Sequence, residues 1–378
     1  MPEHLNFDRS KNVLFLLHRP PPVHGSSVVG EQIASSAAIR EAFTCRFINL
    51  LASKNTNETG QLNLSKLLGI LGIIGSLLKL LISKKPDLCY FALTVSGFAF
   101  YRDVLLVFIL KLRGVPIVFH MHHRGVAKRN QGLAGVLLAY VFKGSKVILL
   151  SERLCSDVTP VVERDQILIC PNGLGEPLPS SEVSVKQAQL NTTPTVLFLS
   201  NLIKEKGIDL LIEACERLTQ AGVAYRCVII GGDADRSKSE VEATLREKNL
   251  DNNVDCVGKC YGKDKEKYLA EADLFVFPTY YHNETFGLVL LEAMRHGLPC
   301  ISTDLGGIPD IVLDQKTGYI VPQQDPDALA DRMLELLENS EWRSRMGQAG
   351  EQHYRKHFTN KEFERRMIEV INICLASK

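Results

Sequence analysis

The sequence predicts an α/β protein of two Rossmann-like domains, each with a parallel sheet, facing one another across a cleft. Three observations predict it. Apolar runs of strand length are continuous rather than alternating, helix-length segments separate them, and the pattern breaks near residue 175 and restarts near 195. A continuous apolar run suits a strand of a parallel sheet, because helices cover both of its faces. Strand–helix–strand repetition suits a doubly wound sheet. At 378 residues the chain fits two domains of about 150–200 residues each.

In the first half the strand candidates are residues 13–17, 88–93, 117–121 and 147–150. Between the second and third, Val104, Leu105, Phe108 and Leu112 recur at helical spacing until Gly114 and Pro116 end the helix. Pro171-Asn172-Gly173 then opens a stretch rich in Pro, Ser, Thr and Gln without periodicity, the composition of a linker. The second half offers strands at 195–199, 227–230, 274–277 and 299–302. Ile208, Leu211, Ile212, Cys215 and Leu218 mark one helix face, and Pro326 starts another helix with Leu329, Met333, Leu336 and Leu337. These readings give domains at 1–180 and 195–350, a linker at 181–194, and a C-terminal helix within 351–378 that returns to the first domain. Ligands of such sheets bind at the carboxyl ends of the strands.

Composition narrows the function. Apolar residues make up 45%, charged residues 23%, and the formal net charge is +1. Nothing in that total favours nucleic acid as a partner. The ten cysteines form no C-x-x-C pair, and Cys89, Cys227 and Cys300 sit inside apolar runs, where Cys acts as a small hydrophobe. A reduced, cytoplasmic setting follows. The opening MPEHLNFDRS is polar and predicts no secretory signal. Residues 67–78 are an unbroken run of apolar, Gly and Ser residues, followed by Lys79, Lys84 and Lys85. That run is short of the roughly 20 residues a membrane span needs. It suits either a buried helix or, over 67–85, an amphipathic helix at the inner face of a membrane.

Four clusters carry the chemistry. The first runs from Glu284 through Thr285, Phe286, Gly287 and Leu288 to Glu292, in a loop that enters a helix after a strand. Free amides at a helix start suit an anionic phosphate, and Gly287 permits close approach of a ligand. Glu284 and Glu292 supply two acceptors for hydroxyls. The second, Ser200-Asn201-Leu202-Ile203-Lys204-Glu205-Lys206-Gly207, puts a lysine at a strand-to-helix turn, where it suits a diphosphate. The third, from Pro20 to Ser27, offers Gly25 and nearby amides after the first strand, and lacks both the dinucleotide and the P-loop glycine patterns. The fourth is His120-Met121-His122-His123-Arg124 at a strand end, with no acidic motif to complete a metal site. Asp233-Ala234-Asp235 reads as D-x-D, a metal motif, and is read here as a polar loop. No metal is expected.

In this order and at these distances the clusters resemble glycosyltransferase family 4, retaining enzymes of GT-B fold. Glu284 and Glu292 fall on the family's E-x7-E signature. Gly297-Leu298-Pro299, Gly306-Gly307-Ile308-Pro309, Thr317-Gly318, Gly231-Gly232 and Gly258 look like its flanking blocks. The resemblance implies an N-terminal acceptor-binding domain and a C-terminal domain for a nucleotide sugar. It implies that Glu284 contacts the donor sugar and Glu292 the ribose. Lys206 would neutralise the diphosphate with amides near Phe286, Gly287 and Leu288, Gly25 would approach the same diphosphate, and His122 would lie near the transferred sugar. The family usually has Arg where this chain has Asn201, which removes a charge-assisted contact of about 1.5–3 kcal/mol.

The expected activity is therefore retaining transfer from a nucleotide-diphosphate sugar, UDP before GDP, to a glycan or lipid-linked acceptor in bacterial surface polysaccharide synthesis. The donor is a substrate, and no further cofactor is expected. Rival readings are a nucleotide-sugar epimerase and a non-catalytic binding protein of GT-B fold.

Overall fold

The computed structural model describes residues 10–51, 64–179 and 193–377. The chain divides into two compact units, one of Met1–Asn172 with Asn360–Lys378 and one of Gly173–Thr359. The linker expected at 181–194 lies outside the described residues except for its last two positions.

The first unit holds β1 (Asn12–Leu17), β2 (Thr44–Asn49), β3 (Leu88–Leu93), β4 (Ile117–Met121), β5 (Lys146–Leu149) and β6 (Ile167–Ile169). Their order is β2-β1-β3-β4-β5-β6, with every pair parallel. Helices α1 (Gly25–Ser35) and α2 (Ala37–Ala42) lead from β1 to β2, while α3 (Leu64–Ser83), α4 (Gly97–Leu112) and α5 (Gly132–Phe142) lead into β3, β4 and β5. A short α6 (Cys155–Val158) precedes β6. Right-handed crossovers then set α1 and α2 on one face of the sheet and α3, α4 and α5 on the other. All six residues of β1 and of β3 are buried, as strands covered on both faces must be.

The second unit repeats the scheme with β7 (Thr195–Leu199), α7 (Ile208–Gln220), β8 (Arg226–Ile230), α8 (Lys238–Glu247), β9 (Val254–Gly258), α9 (Gly262–Glu271) and β10 (Leu274–Phe277). It continues through α10 (Leu288–Arg295), β11 (Cys300–Thr303), α11 (Ile308–Ile311), β12 (Gly318–Val321), α12 (Pro326–Glu338) and α13 (Ser340–His357). The order is β12-β11-β10-β7-β8-β9, again parallel. Asp325 caps α12 by accepting the Ala328 amide at 2.9 Å, with Pro326 at the first helical position. The last helix, α14 (Asn360–Ala376), belongs to the first unit and touches α2. The boundary expected at residue 351 falls inside α13, and the chain changes unit at 359/360.

The eight strands read as continuous apolar runs are present within a residue of their expected bounds. Four further strands, β2, β6, β9 and β12, were not legible that way, and each is an edge strand. An edge strand has one neighbour and keeps more of its surface in water, and β2 (Thr-Cys-Arg-Phe-Ile-Asn) and β9 (Val-Asp-Cys-Val-Gly) are accordingly broken by polar residues. By contrast β6 (Ile-Leu-Ile) and β12 (Gly-Tyr-Ile-Val) are apolar but only three and four residues long.

Candidate functional site

In each sheet the strand order reverses at one point, between β1 and β3 in the first unit and between β7 and β10 in the second. The loops leaving adjacent strands at such a point diverge to opposite faces and leave a crevice. The predicted residues gather there.

In the second unit β7 runs into Asn201 and then a 3-10 turn, Lys204–Lys206, which ends at Gly207 with φ +89°. A Cβ on Gly207 would stand 2.3 Å from the Pro278 carbonyl oxygen, so only glycine lets this turn lie against the end of β10. Glu205 fastens the contact. Its backbone oxygen accepts the Tyr280 amide at 2.8 Å, and its carboxylate lies 2.8 Å from His282 Nδ1.

That docking delivers Lys206 to Glu284, with Nζ donating to Oε2 at 2.6 Å and both side chains largely buried. The ammonium also stands 4.5 Å from the Tyr281 ring centroid, a cation–π distance. Glu284 Oε1 accepts the Phe286 amide at 3.3 Å. Gly287, at φ +84°, is the N-cap of α10 and has no side chain to take up the first amides of the helix. Behind the loop, Gly307 donates to the Thr285 oxygen at 2.8 Å, and a Cβ on Gly306 would lie 2.9 Å from the backbone oxygens of Glu284 and Thr285. The Gly306-Gly307 pair therefore buttresses the acidic loop by close backbone approach.

Glu292 lies on α10, one helical turn and more past Leu288, where Lys265 of α9 donates to its Oε2 at 2.9 Å. Sequence reasoning missed Lys265, because a lysine in a charged helix gives no signal of its partner. Asn201 is exposed beside Gly232, whose missing Cβ would stand 3.4 Å from Asn201 Oδ1 and 3.6 Å from Lys259 Cδ. Lys259, also missed, thus brings a cation to the strand ends next to the position where Asn201 supplies none. Asp233 and Asp235 accept the amides of Lys238 and Lys204 at 2.9 and 3.1 Å, as loop-forming carboxylates do.

The first unit presents a histidine cluster at its own crevice. His18 follows β1, and Ser26 Oγ lies 3.1 Å from His18 Nδ1 and 3.4 Å from His24 Nδ1. Thr94, just after β3, places its hydroxyl 3.4 Å from His18 Nε2. His24 is the N-cap of α1, in a reciprocal cap with Ser27, and Gly25 is the first helical residue. His122, just past β4, is buried with its ring 4.1 Å from that of His120. Burial pushes the His122 imidazole well below its ordinary value, with His120, His123, His18 and His24 adding repulsion. His18 is lowered likewise, by burial first and then by Arg102. These imidazoles are neutral at pH 7, so they donate and accept hydrogen bonds without bringing charge. His18 was not singled out by sequence; its place directly after the first strand was the available signal. Among the described residues no group of three or more His, Cys, Asp or Glu is placed to hold a metal ion.

Of the predicted residues, Lys206, Glu284, Phe286, Gly287, Leu288 and Glu292 gather about the start of α10, and Asn201 stands at the neighbouring strand end. Gly25 and His122 belong to the first unit's crevice.

Residues 180–353 match the family model described as glycosyl transferases group 1. Curated relatives include the amylovoran biosynthesis glycosyltransferase AmsK of Erwinia amylovora, 32% identical over 37% of this chain and 35% of that protein. Another is the GDP-mannose-dependent monoacylated alpha-(1-6)-phosphatidylinositol monomannoside mannosyltransferase of Corynebacterium glutamicum, 34% identical over 43% of each chain. The chain thus spans less than half the length of these relatives. Solved structures align over nearly the whole chain. Sucrose-phosphate synthase from Thermosynechococcus elongatus has a TM-score of 0.75 at 20% identity, covering 97% of this chain and 100% of that one. Anabaena Alr3699/HepE in complex with UDP-glucose has a TM-score of 0.72 at 18% identity, covering 96% and 99%. At such identities the likeness is one of fold, and the fold is GT-B.

Proposed function

We propose, from the match of residues 180–353 to the group 1 glycosyl transferases and from the GT-B fold, that this chain transfers a sugar from a nucleotide-diphosphate donor to a glycan or lipid-linked acceptor. One observation carries the reading. Lys206 and Glu284 meet at 2.6 Å beside the uncapped start of α10, held there by two glycine-dependent backbone contacts.

The chemistry follows from charge. When the bond between the anomeric carbon and the diphosphate oxygen breaks, negative charge grows on the leaving phosphate and positive character on the sugar. Lys206 and the first amides of α10 stabilise that growing negative charge more than they stabilise the bound donor. Glu284 accepts hydrogen bonds from sugar hydroxyls while holding the ammonium of Lys206 in place. Glu292 accepts from the ribose, sharing its carboxylate with Lys265. His122, neutral, serves the transferred sugar as a hydrogen-bonding group. The acceptor hydroxyl attacks from the leaving-group side, so configuration is retained, and its proton passes to the departing phosphate oxygen. UDP is the nucleotide proposed first, on a neighbour of the same fold in complex with UDP-glucose, and GDP is the alternative, since a 34% identical relative is GDP-mannose-dependent. The lipid-linked or polysaccharide acceptor is supported by relatives whose names place them in amylovoran and phosphatidylinositol mannoside synthesis.

Calorimetry with UDP and GDP tests the donor half. Binding of UDP, lost on K206A by roughly 10- to 150-fold, is expected for a charge-assisted contact of about 1.5–3 kcal/mol. No affinity for any nucleoside diphosphate would overturn the reading. Conversion of a nucleotide sugar to its epimer without acceptor would replace transfer by epimerisation.

A further inference from the structure

Fifteen large apolar side chains are exposed among the described residues, and eleven of them lie on α3, α4 and α5. On α4 they are Phe98, Tyr101, Leu105, Phe108 and Leu112, spaced three and four apart along one side of the helix. The other side of the same helix is already satisfied, with Phe100, Leu106, Val107 and Leu110 buried. On α3, Leu68, Leu71, Leu78 and Ile82 face out while Ile73, Leu77 and Leu81 are buried. Leu133 and Val136 extend the row onto α5. The three helices cover one face of the sheet, and α4 touches both neighbours. Soluble monomers seldom leave a contiguous apolar face of three helices in water.

The charge on this stretch is equally one-sided. Residues 64–151 contain twelve Lys and Arg against two Asp, in a chain whose total is +1. Asp103 is fully buried against Arg102 at 2.6 Å, and Asp87 accepts the Asn12 amide at 2.9 Å. The helices run side by side in one direction, so their C-terminal ends form a single rim. There Lys84, Lys85, Arg113 and Lys143 are exposed. Two contacts fix that rim. Arg113 donates to the Leu81 oxygen at 3.3 Å, and Lys111 donates to the Lys143 oxygen at 2.8 Å.

We propose that the outer face of α3, α4 and α5 is a docking surface for an anionic lipid bilayer, the apolar row entering the acyl boundary and the basic rim meeting acidic headgroups. The two features belong to one occupant. Headgroup phosphates answer the lysines, and hydrocarbon answers the leucines and phenylalanines. In a two-fold contact this face would meet its own copy, and a stretch with two Asp and no Glu has little acidic charge with which to answer its basic rim. Nucleic acid would leave the apolar row in water. No helix of the described residues is long and apolar enough to cross a membrane, and the attachment proposed is to the surface. It stands apart from the donor-site reading, since it involves none of the residues placed there.

Flotation of the full chain with phosphatidylcholine vesicles, with and without about 30% phosphatidylglycerol, tests the surface. The protein is expected to float with the anionic vesicles at low salt, and at least roughly tenfold less with phosphatidylcholine alone or at high salt. Two sets of exposed substitutions, L105S/F108S/L112S and K84E/K85E, should each abolish flotation while leaving UDP affinity and the melting temperature unchanged. Failure of the unaltered chain to float, or flotation unaffected by both sets, overturns the proposal. So does light scattering that shows a dimer which L105S/F108S/L112S converts to monomer, because the face would then be a self-contact. UDP binding measured on the same samples separates loss of this surface from loss of the donor site.

Discussion

Lys206 reaches Glu284 only because Gly207 turns the chain with a positive φ against Pro278. G207A forces a Cβ to within 2.3 Å of a backbone oxygen in a conformation L-residues avoid. The expected result is a loss of about 1–3 kcal/mol in stability, read by chemical denaturation, together with weakened UDP binding. An unchanged melting temperature and affinity would show the turn to be tolerant. Asn201 invites the opposite experiment. N201R places a guanidinium beside Gly232 and Lys259 and should tighten UDP by roughly tenfold through a charge-assisted contact; weaker binding would mean that Lys259 already fills that role. The histidines add a pH dependence. Burial lowers His18 and His122 well below 6.5, and His120 to about 3. A group with a lowered folded value binds fewer protons in the folded state than in the unfolded one. Its contribution is therefore complete above 6.5 and is lost as pH falls below it, at about 1.4 kcal/mol per pH unit for each histidine. Denaturant unfolding between pH 7.5 and 5 should show that fall, and H120Q should make it shallower. A flat profile would mean these rings are not held neutral.

At the scale of elements, the spacing of Val104, Leu105, Phe108 and Leu112 located α4 correctly and said nothing about which side is buried. Leu106, Val107 and Leu110 pack inward, while Leu105, Phe108 and Leu112 face out. A helix apolar on all sides has no phase to read, so only its neighbours decide. The same holds for the 67–85 segment: α3 is at once a packed helix and an exposed apolar one. Buried strands were legible because both faces are covered; the edge strands β2 and β9 were not, because water keeps their polar residues, and β6 and β12 are apolar runs of only three and four residues. Within α4 the fully buried Asp103 is held by Arg102 and by the Thr94 amide at 2.9 Å. Burial nevertheless raises its carboxyl above the ordinary value. D103N removes the charge opposite a buried guanidinium and is expected to cost about 3–5 kcal/mol, measured as a lower denaturation midpoint. A loss under about 1 kcal/mol would mean that the pair is replaceable.

The whole molecule is two units threaded by one chain, since α14 returns to the unit in which the chain began. It buries Phe363, Met367, Ile368 and Ile371 there. Each such side chain contributes about 1.5–3 kcal/mol on burial, so together they rival the total stability of a domain. Ending the chain after Thr359 should therefore unfold the first unit and leave the second intact. Calorimetry would show one transition lost and one retained, with UDP binding to the second unit preserved. Two unchanged transitions would mean that α14 is dispensable.

By itself the sequence determined the class of fold, the eight inner strands, and the order of the motifs that lead to the α10 site. These are local properties: burial on both faces writes an unbroken apolar run, and a glycine at a turn or a helix start needs no distant partner to be recognised. The tertiary structure alone decided who meets whom. It joined Lys206 to Glu284 across 78 residues and paired Lys265 with Glu292. It also set Lys259 beside Asn201, gathered His18 with the histidines past β1 and β4, and turned the apolar row of α4 toward water. Such pairings depend on strand order, and strand order is fixed by the packing of the whole sheet.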